Sequence, residues 1–413
     1  MDLNTRVIVV GSGPAGLMAA LTAAGQGAAV TVLESLPSPG RKLLASGAGK
    51  CNFTNMLTAE AMAERFVPEQ RRFVKPSLMN FTPEMCRKFF RDNGVKFKLV
   101  DSFYCFPESE KAIDILNVFL RKFAEYNVKI VCNAPVSEFL LKDGRIHGVI
   151  AGNNEYSCDY LIAAGGGSGF PALGGRGLLD KVCTQANVEV IKRRPALCGI
   201  KSRDLWLQDL GGIVLDKAEI KLDKNNCSSG TLLFTGDGIS GPAALDMAGR
   251  AAVLLDNNQP VVLKINPCPS LSAVDWQQRI DSARKINGKK LIRNILNGTL
   301  PQALLYKLTD YAGVGSVTVA QLGREMQMHL LEALTNIPCN VSRVENLDKA
   351  MATTGGVSRN EVNAKTMNCK KIANLYFAGE FIDVDGPCGG YNIQWALSSG
   401  YTAGLLKSQK SKS

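Results

Sequence analysis

Histidine is nearly absent from this 413-residue chain, which carries only His147 and His329. Metal sites built on several imidazoles, and catalysis that needs more than one, are excluded by count. Twelve cysteines are present, yet no two stand in a C-x-x-C pair. That argues against a vicinal redox dithiol, a zinc ribbon and an iron–sulfur cluster, so no metal is expected. Thiols dispersed in this way suit a reducing compartment, and the expectation is a cytoplasmic protein. Charge is missing from Val7 to Leu33, but a membrane span is not expected there. Pro14, the glycines of the turn around it and β-branched runs at both ends break the helix that a span needs, and Met1-Asp-Leu-Asn-Thr-Arg6 is not a basic leader. Acids are outnumbered, 37 against 48 bases, for a formal net charge of +11. The basic clusters Arg71-Arg72, Arg87-Lys88, Lys192-Arg193-Arg194, Lys289-Lys290 and the tail Lys407–Ser413 are short and lack interleaved aromatics. They read as solvated faces and a frayed end, and argue against nucleic acid as a partner. A basic field would also draw in anionic cofactors and substrates.

With 46% hydrophobic residues, the chain can bury a large core and is expected to divide into two or three domains. Its strongest local signal is Gly11-Ser12-Gly13-Pro14-Ala15-Gly16. The run Arg6-Val-Ile-Val-Val10 precedes it, and the helical run Leu17-Met-Ala-Ala-Leu-Thr-Ala-Ala24 follows. This pattern predicts a dinucleotide-binding βαβ unit. Gly11 permits the tight turn, Gly13 admits a pyrophosphate to the backbone, and Gly16 lets helix and strand pack closely, with Pro14 and Ala15 opening the helix amino terminus toward the phosphates. Glu34 closes the next strand, Ala28–Leu33, where a carboxylate accepts from both ribose hydroxyls and repels a 2′-phosphate. The ligand is therefore expected to be FAD or NAD and not NADP.

Next comes a glycine- and serine-rich loop, Ser38–Asn55, too polar and broken for a regular element and expected to wrap a ligand. Helical patterns follow at Pro83–Asn93 and Ala112–Asn127. Three strands, Lys129–Cys132, Val136–Leu141 and Arg145–Ala151, are then expected to form an antiparallel meander. Asp159–Gly167 reads as a buried strand running into glycines, rejoining the parallel sheet with Ala164, Gly165 and Gly166 beside the cofactor. No helix with an acid at the required offset follows, so no second nucleotide fold is expected, and NAD(P)H is left as an open electron donor. From Pro195 the pattern turns to extended stretches, Gly212–Leu222, Thr231–Phe234 and Val261–Ile265, and then to helices from Ala273 to Leu334. The expected architecture is α/β. A Rossmann-like FAD-binding domain, 1–194 with 351–413, combines a parallel sheet and a meander, and is interrupted by a mixed β-rich and helical substrate domain, 195–350.

The carboxy-terminal segment decides between NAD and FAD. The sheet resumes at Asn374-Leu-Tyr-Phe-Ala-Gly379-Glu380, followed by Asp383, Asp385-Gly386, Cys388 and Gly389-Gly390-Tyr391-Asn392-Ile393. A return strand bringing Glu380 and Asp383 to the ribityl hydroxyls, and a glycine-opened helix aimed at the flavin pyrimidine, are features that an NAD domain does not need. Such a helix end stabilises negative charge on a reduced flavin.

Four separated motifs carry a resemblance along nearly the whole chain. They are Gly40–Asn55, Leu232–Pro242, Thr354–Ser358 with Lys365–Met367, and Tyr376–Asn392. The chain resembles the flavoprotein family that includes bacterial aminoacetone oxidase-like enzymes and flavoproteins of bile-acid dehydroxylation pathways. The resemblance implies noncovalent FAD and an FAD domain interrupted by a substrate domain, without fixing one substrate. Gly236 stands where that family usually has histidine, and Cys388 where it has threonine.

A flavin carries the redox chemistry itself, so few side chains are required. Arg41 and Lys42 suit the pyrophosphate. Gly49, Lys50, Cys51 and Asn52 are expected near the ring. Asn52, Cys51 and Cys388 are the candidate catalytic side chains, with loop pinning and packing as the competing roles. The leading expectation is an FAD-dependent oxidoreductase acting on a small or steroid-like organic substrate. A tRNA-modifying flavoenzyme, an amine oxidase using oxygen and a non-catalytic flavin-binding protein remain alternatives.

Overall fold

The computed structural model describes residues 5–407. Residues 1–4 and the stretch 408–413 of the basic tail lie outside the described residues. The chain divides into two compact units, Met1–Arg194 with Met351–Ser413, and Pro195–Ala350. Each has its own hydrophobic core.

In the first unit, β1 (Arg6–Val10), β2 (Ala29–Leu33), β3 (Lys129–Val131), β4 (Tyr160–Ala163) and β5 (Leu375–Phe377) form one sheet, in the order β5-β4-β1-β2-β3. Every pairing in it is parallel. A parallel sheet is covered on both faces, which is why these strands are continuous apolar runs without alternation. Val7 to Val10 are all at most 6% exposed. Helix α1 (Pro14–Gly25) connects β1 to β2, and helix α2 (Tyr391–Gly404) follows β5. The two helices touch backbone to backbone. A Cβ on Gly400 would lie 2.2 Å from the Ala15 carbonyl oxygen, and one on Gly404 would lie 2.5 Å from that of Ala19. The first and last helices of this unit are thus packed by residues with no side chain to spare.

The meander differs from expectation. Lys129–Val131 pairs in parallel with β2, Thr31 opposite Lys129, and belongs to the main sheet. Helix Ala112–Glu125 precedes it and provides the crossover that a parallel strand requires. The antiparallel meander is Val136–Lys142, Arg145–Ala151 and Asn154–Ser157. The stretch 38–55 is also more regular than its composition suggests. It holds a short helix, Arg41–Ala45, a 3-10 turn, Ser46–Gly49, and a two-residue strand, Thr54–Asn55, antiparallel to Tyr104–Pro107. Helix Pro68–Asn80 carries Pro76 inside it, and that residue hides it from a reading by helix formers.

The second unit is built on a closed six-stranded barrel. Val214–Lys221, Cys227–Thr235 and Val262–Asn266 fall on the expected extended stretches. Closure comes from Ile337–Val344, which pairs with both Val262–Asn266 and Ile200–Ser202. Helices Pro242–Asp256, Ala273–Asn287, Gln302–Tyr311 and Arg324–Asn336 complete this unit. Gly236 lies exposed at the tip of a barrel hairpin, next to Asp237, whose carboxylate accepts from Lys201 at 2.6 Å. Among the described residues, no helix is long and apolar enough to cross a membrane.

Candidate functional site

Strands β1, β2 and β4 end together, and the glycine turn sits on their carboxyl ends. Gly11 N–H donates to the Leu33 carbonyl at 2.8 Å, and Ala164 N–H donates to the Val10 carbonyl at 2.9 Å. Gly11 has φ +97°, and a Cβ there would lie 2.5 Å from the Ala164 oxygen. A Cβ on Gly16 would be 1.9 Å from the Gly11 oxygen and 3.4 Å from Val9 Cγ1. Both glycines are therefore required by backbone packing alone. Gly13 is different, because a Cβ there would meet nothing among the described residues within 4 Å. It borders open space at the amino terminus of α1, which begins with Pro14, has no acid in its first turn and has no side chain capping it. Uncapped N–H groups facing a gap, with the helix dipole behind them, are what a pyrophosphate needs. The residues present fit a dinucleotide.

Glu34 continues β2 and is buried. Its Oε2 accepts from Ser12 N–H at 2.9 Å and Ser12 Oγ at 2.5 Å, and its Oε1 from Leu36 N–H at 2.9 Å and Ser35 Oγ at 3.2 Å. The acid expected at the ribose also ties the glycine turn to the following loop, a role that its sequence position does not reveal. At the other end, Glu380 accepts from Lys42 Nζ at 2.8 Å, and from Thr353 N–H at 2.8 Å and Oγ1 at 3.1 Å. Burial pushes this carboxyl up. Lys42, the Thr353 N–H and Arg193 outweigh that effect and hold it below the ordinary range. Arg41 is exposed, so of the expected cation pair it is Lys42 that reaches the return segment. Asp383 is buried, accepts from Gly355 N–H at 2.8 Å and lies 3.5 Å from Arg359.

Arg193 corrects the reading of its cluster as a solvated face. Its side chain is 5% exposed and forms a bidentate pair with Asp180 at 2.7 and 2.9 Å. It also donates to the carbonyls of Glu380 and Phe381 at 3.1 and 3.3 Å. It thereby fixes the backbone that presents Glu380. Arg87 is likewise engaged, donating to the Asn55 carbonyl.

Gly379 has φ +69°, and a Cβ there would lie 2.7 Å from Ala15 Cβ. Gly165 abuts Leu179, whereas Gly166, at φ +70°, borders open space among the described residues. Helix α2 opens at Gly390, in the left-handed region, again with no side-chain cap and no acid in its first turn. The sequence pattern makes Gly389 and Gly390 small for a flavin's sake. The immediate reason is within the chain: a Cβ on Gly390 would lie 2.7 Å from the Thr54 carbonyl carbon, and one on Gly389 would lie 2.6 Å from the Tyr104 ring. Tyr391 meets Phe66 edge to face, and Ile393 packs on the core. Asn392 accepts from Gly386 N–H at 2.8 Å and donates back to the Gly386 carbonyl at 2.8 Å.

In the wrapping loop the structure favours the pinning roles. Asn52 donates through its amide nitrogen to the Thr54 and Cys105 carbonyls at 2.8 and 3.2 Å. Cys51 is fully buried, and burial pushes its thiol up to about 12. Burial thus disfavours its thiolate and suits the packing role. Lys50 ion-pairs with Glu110 at 3.4 Å on the surface, just after the turn at Gly49. Cys388 is half-buried, three residues before the first residue of α2. Asp385 follows Asp383 in the same segment and accepts from Gln70 Nε2 at 3.3 Å. It is half-buried, and its carboxyl is pushed up to about 6 by burial, with Asp383 and Glu380 adding to the rise.

A βαβ unit with an open phosphate cradle, a return strand leading into the turn that holds Glu380 and a second uncapped helix end define the class, an FAD-dependent oxidoreductase of the Rossmann type. Within that class, the chain belongs to the family described as the HI0933-like protein Rossmann domain, whose pattern matches residues 5–406. It is 29% identical over 418 residues to a ribosomal RNA dihydrouridine synthase of Haemophilus influenzae, covering 99% of this chain and 100% of that one. It is 26% identical over 412 residues to a 3-dehydro-bile acid delta(4,6)-reductase of Clostridium scindens, covering 98% and 99% respectively. A solved quinol–fumarate reductase with menaquinol molecules shares the fold at a TM-score of 0.51 and 15% identity, covering 97% of this chain and 70% of that one.

Proposed function

We propose that the protein is an FAD-dependent reductase that saturates a carbon–carbon double bond conjugated to a carbonyl, with NADH or NADPH as electron donor. The observation that carries this reading is the cradle at Gly13, open and uncapped, together with the two full-length relatives. Uracil and a 3-oxo steroid differ in size, but each presents an alkene polarised by a carbonyl, and reduction of that alkene is the change common to both relatives' names. FAD supplies hydride transfer when bound. The chain's part is to hold it. The α1 amino terminus with Gly13 takes the pyrophosphate, Glu34 the ribose, and Glu380, set by Lys42 and Arg193, the ribityl chain. The first turn of α2 offers N–H groups to developing negative charge at the pyrimidine edge. Asp383, Ala164, Gly165 and Gly166 line the same end of the sheet, and the inserted unit, 195–350, is the substrate domain.

Anaerobic addition of NADH or NADPH to the purified yellow protein tests the reading. Rapid bleaching of the flavin band, followed by return of colour on adding an enone, is expected. No bleaching by either nucleotide would remove the pyridine-nucleotide donor, and no recolouring by any enone would remove the reductase. A uracil within RNA is the second reading, favoured by the net charge of +11. It predicts RNA binding that weakens steeply with salt, and salt-insensitive or absent binding would leave the free small molecule.

A further inference from the structure

From Ser282 to Thr309, within the inserted unit, the chain holds six bases and no acid. Beside this stretch a crevice of about 560 Å³ opens between helices Ala273–Asn287 and Arg324–Asn336. Leu322, Met328 and Leu331 supply apolar lining, and Arg284, Arg324 and Gln327 supply polar lining. Its size is that of a pocket for a small ligand or one nucleotide. The polar groups are tied together. Arg284 donates to Asp281 at 3.3 Å, to the Leu322 carbonyl at 3.1 Å and to Gln327 at 3.2 Å, while Gln327 donates to Gln277 and Gln277 to Asp281 at 2.8 Å. Asp281, the acid nearest Arg284 in this ring, is thereby engaged.

The lysine turn is fastened to the same crevice. Ala320, which also lines it, donates its N–H to the Gly288 carbonyl at 2.9 Å, and Val319 donates to the Lys290 carbonyl at 2.9 Å. A Cβ on Gly288 would lie 3.2 Å from Ala320 Cβ. Lys285, Lys289, Lys290 and Arg324 are all exposed, and among the described residues none of these four side chains has an ion pair. Glu325, one residue beyond Arg324, leaves this rim net positive. The basic clusters have no interleaved aromatics in sequence, but the fold brings one in: the Arg293 guanidinium lies 5.1 Å from the centre of the Tyr306 ring. Such a pair is a platform on which an unpaired base stacks.

We propose that this face of the inserted unit, Lys285 to Arg293 with Arg324 and the crevice, grips single-stranded RNA. The proposal rests on the second reading above, a uracil within RNA. Unpaired cations spread over a turn and a second helix suit a chain of phosphates, whereas one small anion would need only one or two of them. The lysines and Arg324 take the phosphates, and one splayed base lies on Met328 and Leu331 in the crevice. A duplex keeps its bases stacked and has none to offer there.

The test uses FAD-loaded full-length protein and a fluorescein-labelled RNA hairpin with a uridine loop, with anisotropy followed across a range of KCl concentrations. One variant combines Lys285→Gln, Lys289→Gln, Lys290→Gln and Arg324→Gln. A control of equal charge combines Lys111→Gln, Lys142→Gln, Lys217→Gln and Lys224→Gln, all exposed and away from this face in sequence. The first variant should bind the hairpin about tenfold more weakly or worse, and its slope of log affinity against log salt should be shallower by about 3, at about 0.7 for each of four phosphates. The control should bind nearly as wild type, and flavin content and Tm should be unchanged in both. A fully paired duplex should bind wild type more weakly than the hairpin, and equal binding overturns the seating of a base. Equal affinities in wild type and the first variant, or equal losses in the two variants, overturn the assignment of the face while RNA binding itself stands. If wild type binds no RNA, the RNA reading fails and takes the face with it. Ile286 stands 86% exposed among these bases, so phosphatidylserine vesicles are a further probe. Binding to them but not to the hairpin, lost in the first variant, would assign the face to a lipid surface and overturn the proposal.

Discussion

Replacing Glu34 by alanine tests whether the acid of the dinucleotide motif is structural as well as ligand-binding. Its carboxylate accepts four hydrogen bonds, two from Ser12, one from Ser35 and one from Leu36. Ser12 is 0% and Leu36 9% exposed, so in Glu34→Ala two backbone N–H groups lose their acceptor where water enters poorly. Each buried donor left unmatched costs about 1–3 kcal/mol. Allowing for local relaxation, the FAD-stripped protein should lose roughly 2–4 kcal/mol. For a unit of this size that corresponds to a fall in Tm of about 5–15 °C. Flavin affinity should fall as well, through the lost ribose contacts and the loosened turn at Gly11–Gly13. The measurement is thermal and urea unfolding of stripped protein beside a flavin titration, with Ser12→Ala and the double variant to isolate the coupling. A stripped Glu34→Ala protein as stable as its parent would refute the reasoning, because the carboxylate would then carry no part of the turn.

Gly16→Ala should be severely destabilised and emerge colourless, since its Cβ would sit 1.9 Å from a backbone oxygen. Gly25→Ala, in the same helix with open space at its Cβ, should gain up to about 1 kcal/mol, and equal losses in the two would discredit the packing account. Lys42→Met removes the cation that holds Glu380 low. The stability contributed by this depressed carboxyl is present above its ordinary value of 4.5 and lost as pH falls below that. Denaturant titrations should show the variant less stable than its parent at pH 7, with the difference shrinking as pH falls below 4.5. Asp385 has the opposite sign, a raised acid that penalises the folded state as pH climbs from 3.8 toward about 6. Asp385→Asn should therefore be more stable than wild type at pH 8 by up to roughly 3 kcal/mol, at about 1.4 kcal/mol for each tenfold loss of acidity on folding. The difference should vanish near pH 4, and denaturant titrations at the two pH values check it.

Some of this was legible in the chain because the signals are local. The β1–turn–α1–β2 unit is written in consecutive residues, with a change of hydrophobic period on either side of the glycines and an acid at a fixed offset. The composition of Ser38–Asn55 conceals a helix and a strand, because glycine and serine mark a loop whether or not a neighbour supplies hydrogen bonds. Lys129–Val131 reads as part of the meander since the pattern of a three-residue strand is silent about its partner. Only pairing with β2 makes it parallel.

The sequence alone determined the nucleotide-binding class, since βαβ geometry and an uncapped helix end follow from residues within one short stretch. Tertiary structure decided what each polar group does. Lys42 meets Glu380 across 338 positions, Arg193 is buried against Asp180, Cys51 is sealed from water, and Gln70 faces Asp385 across 315 positions. Charge state and hydrogen bonding depend on desolvation and on neighbours from distant segments, and neither exists until the chain has closed on itself.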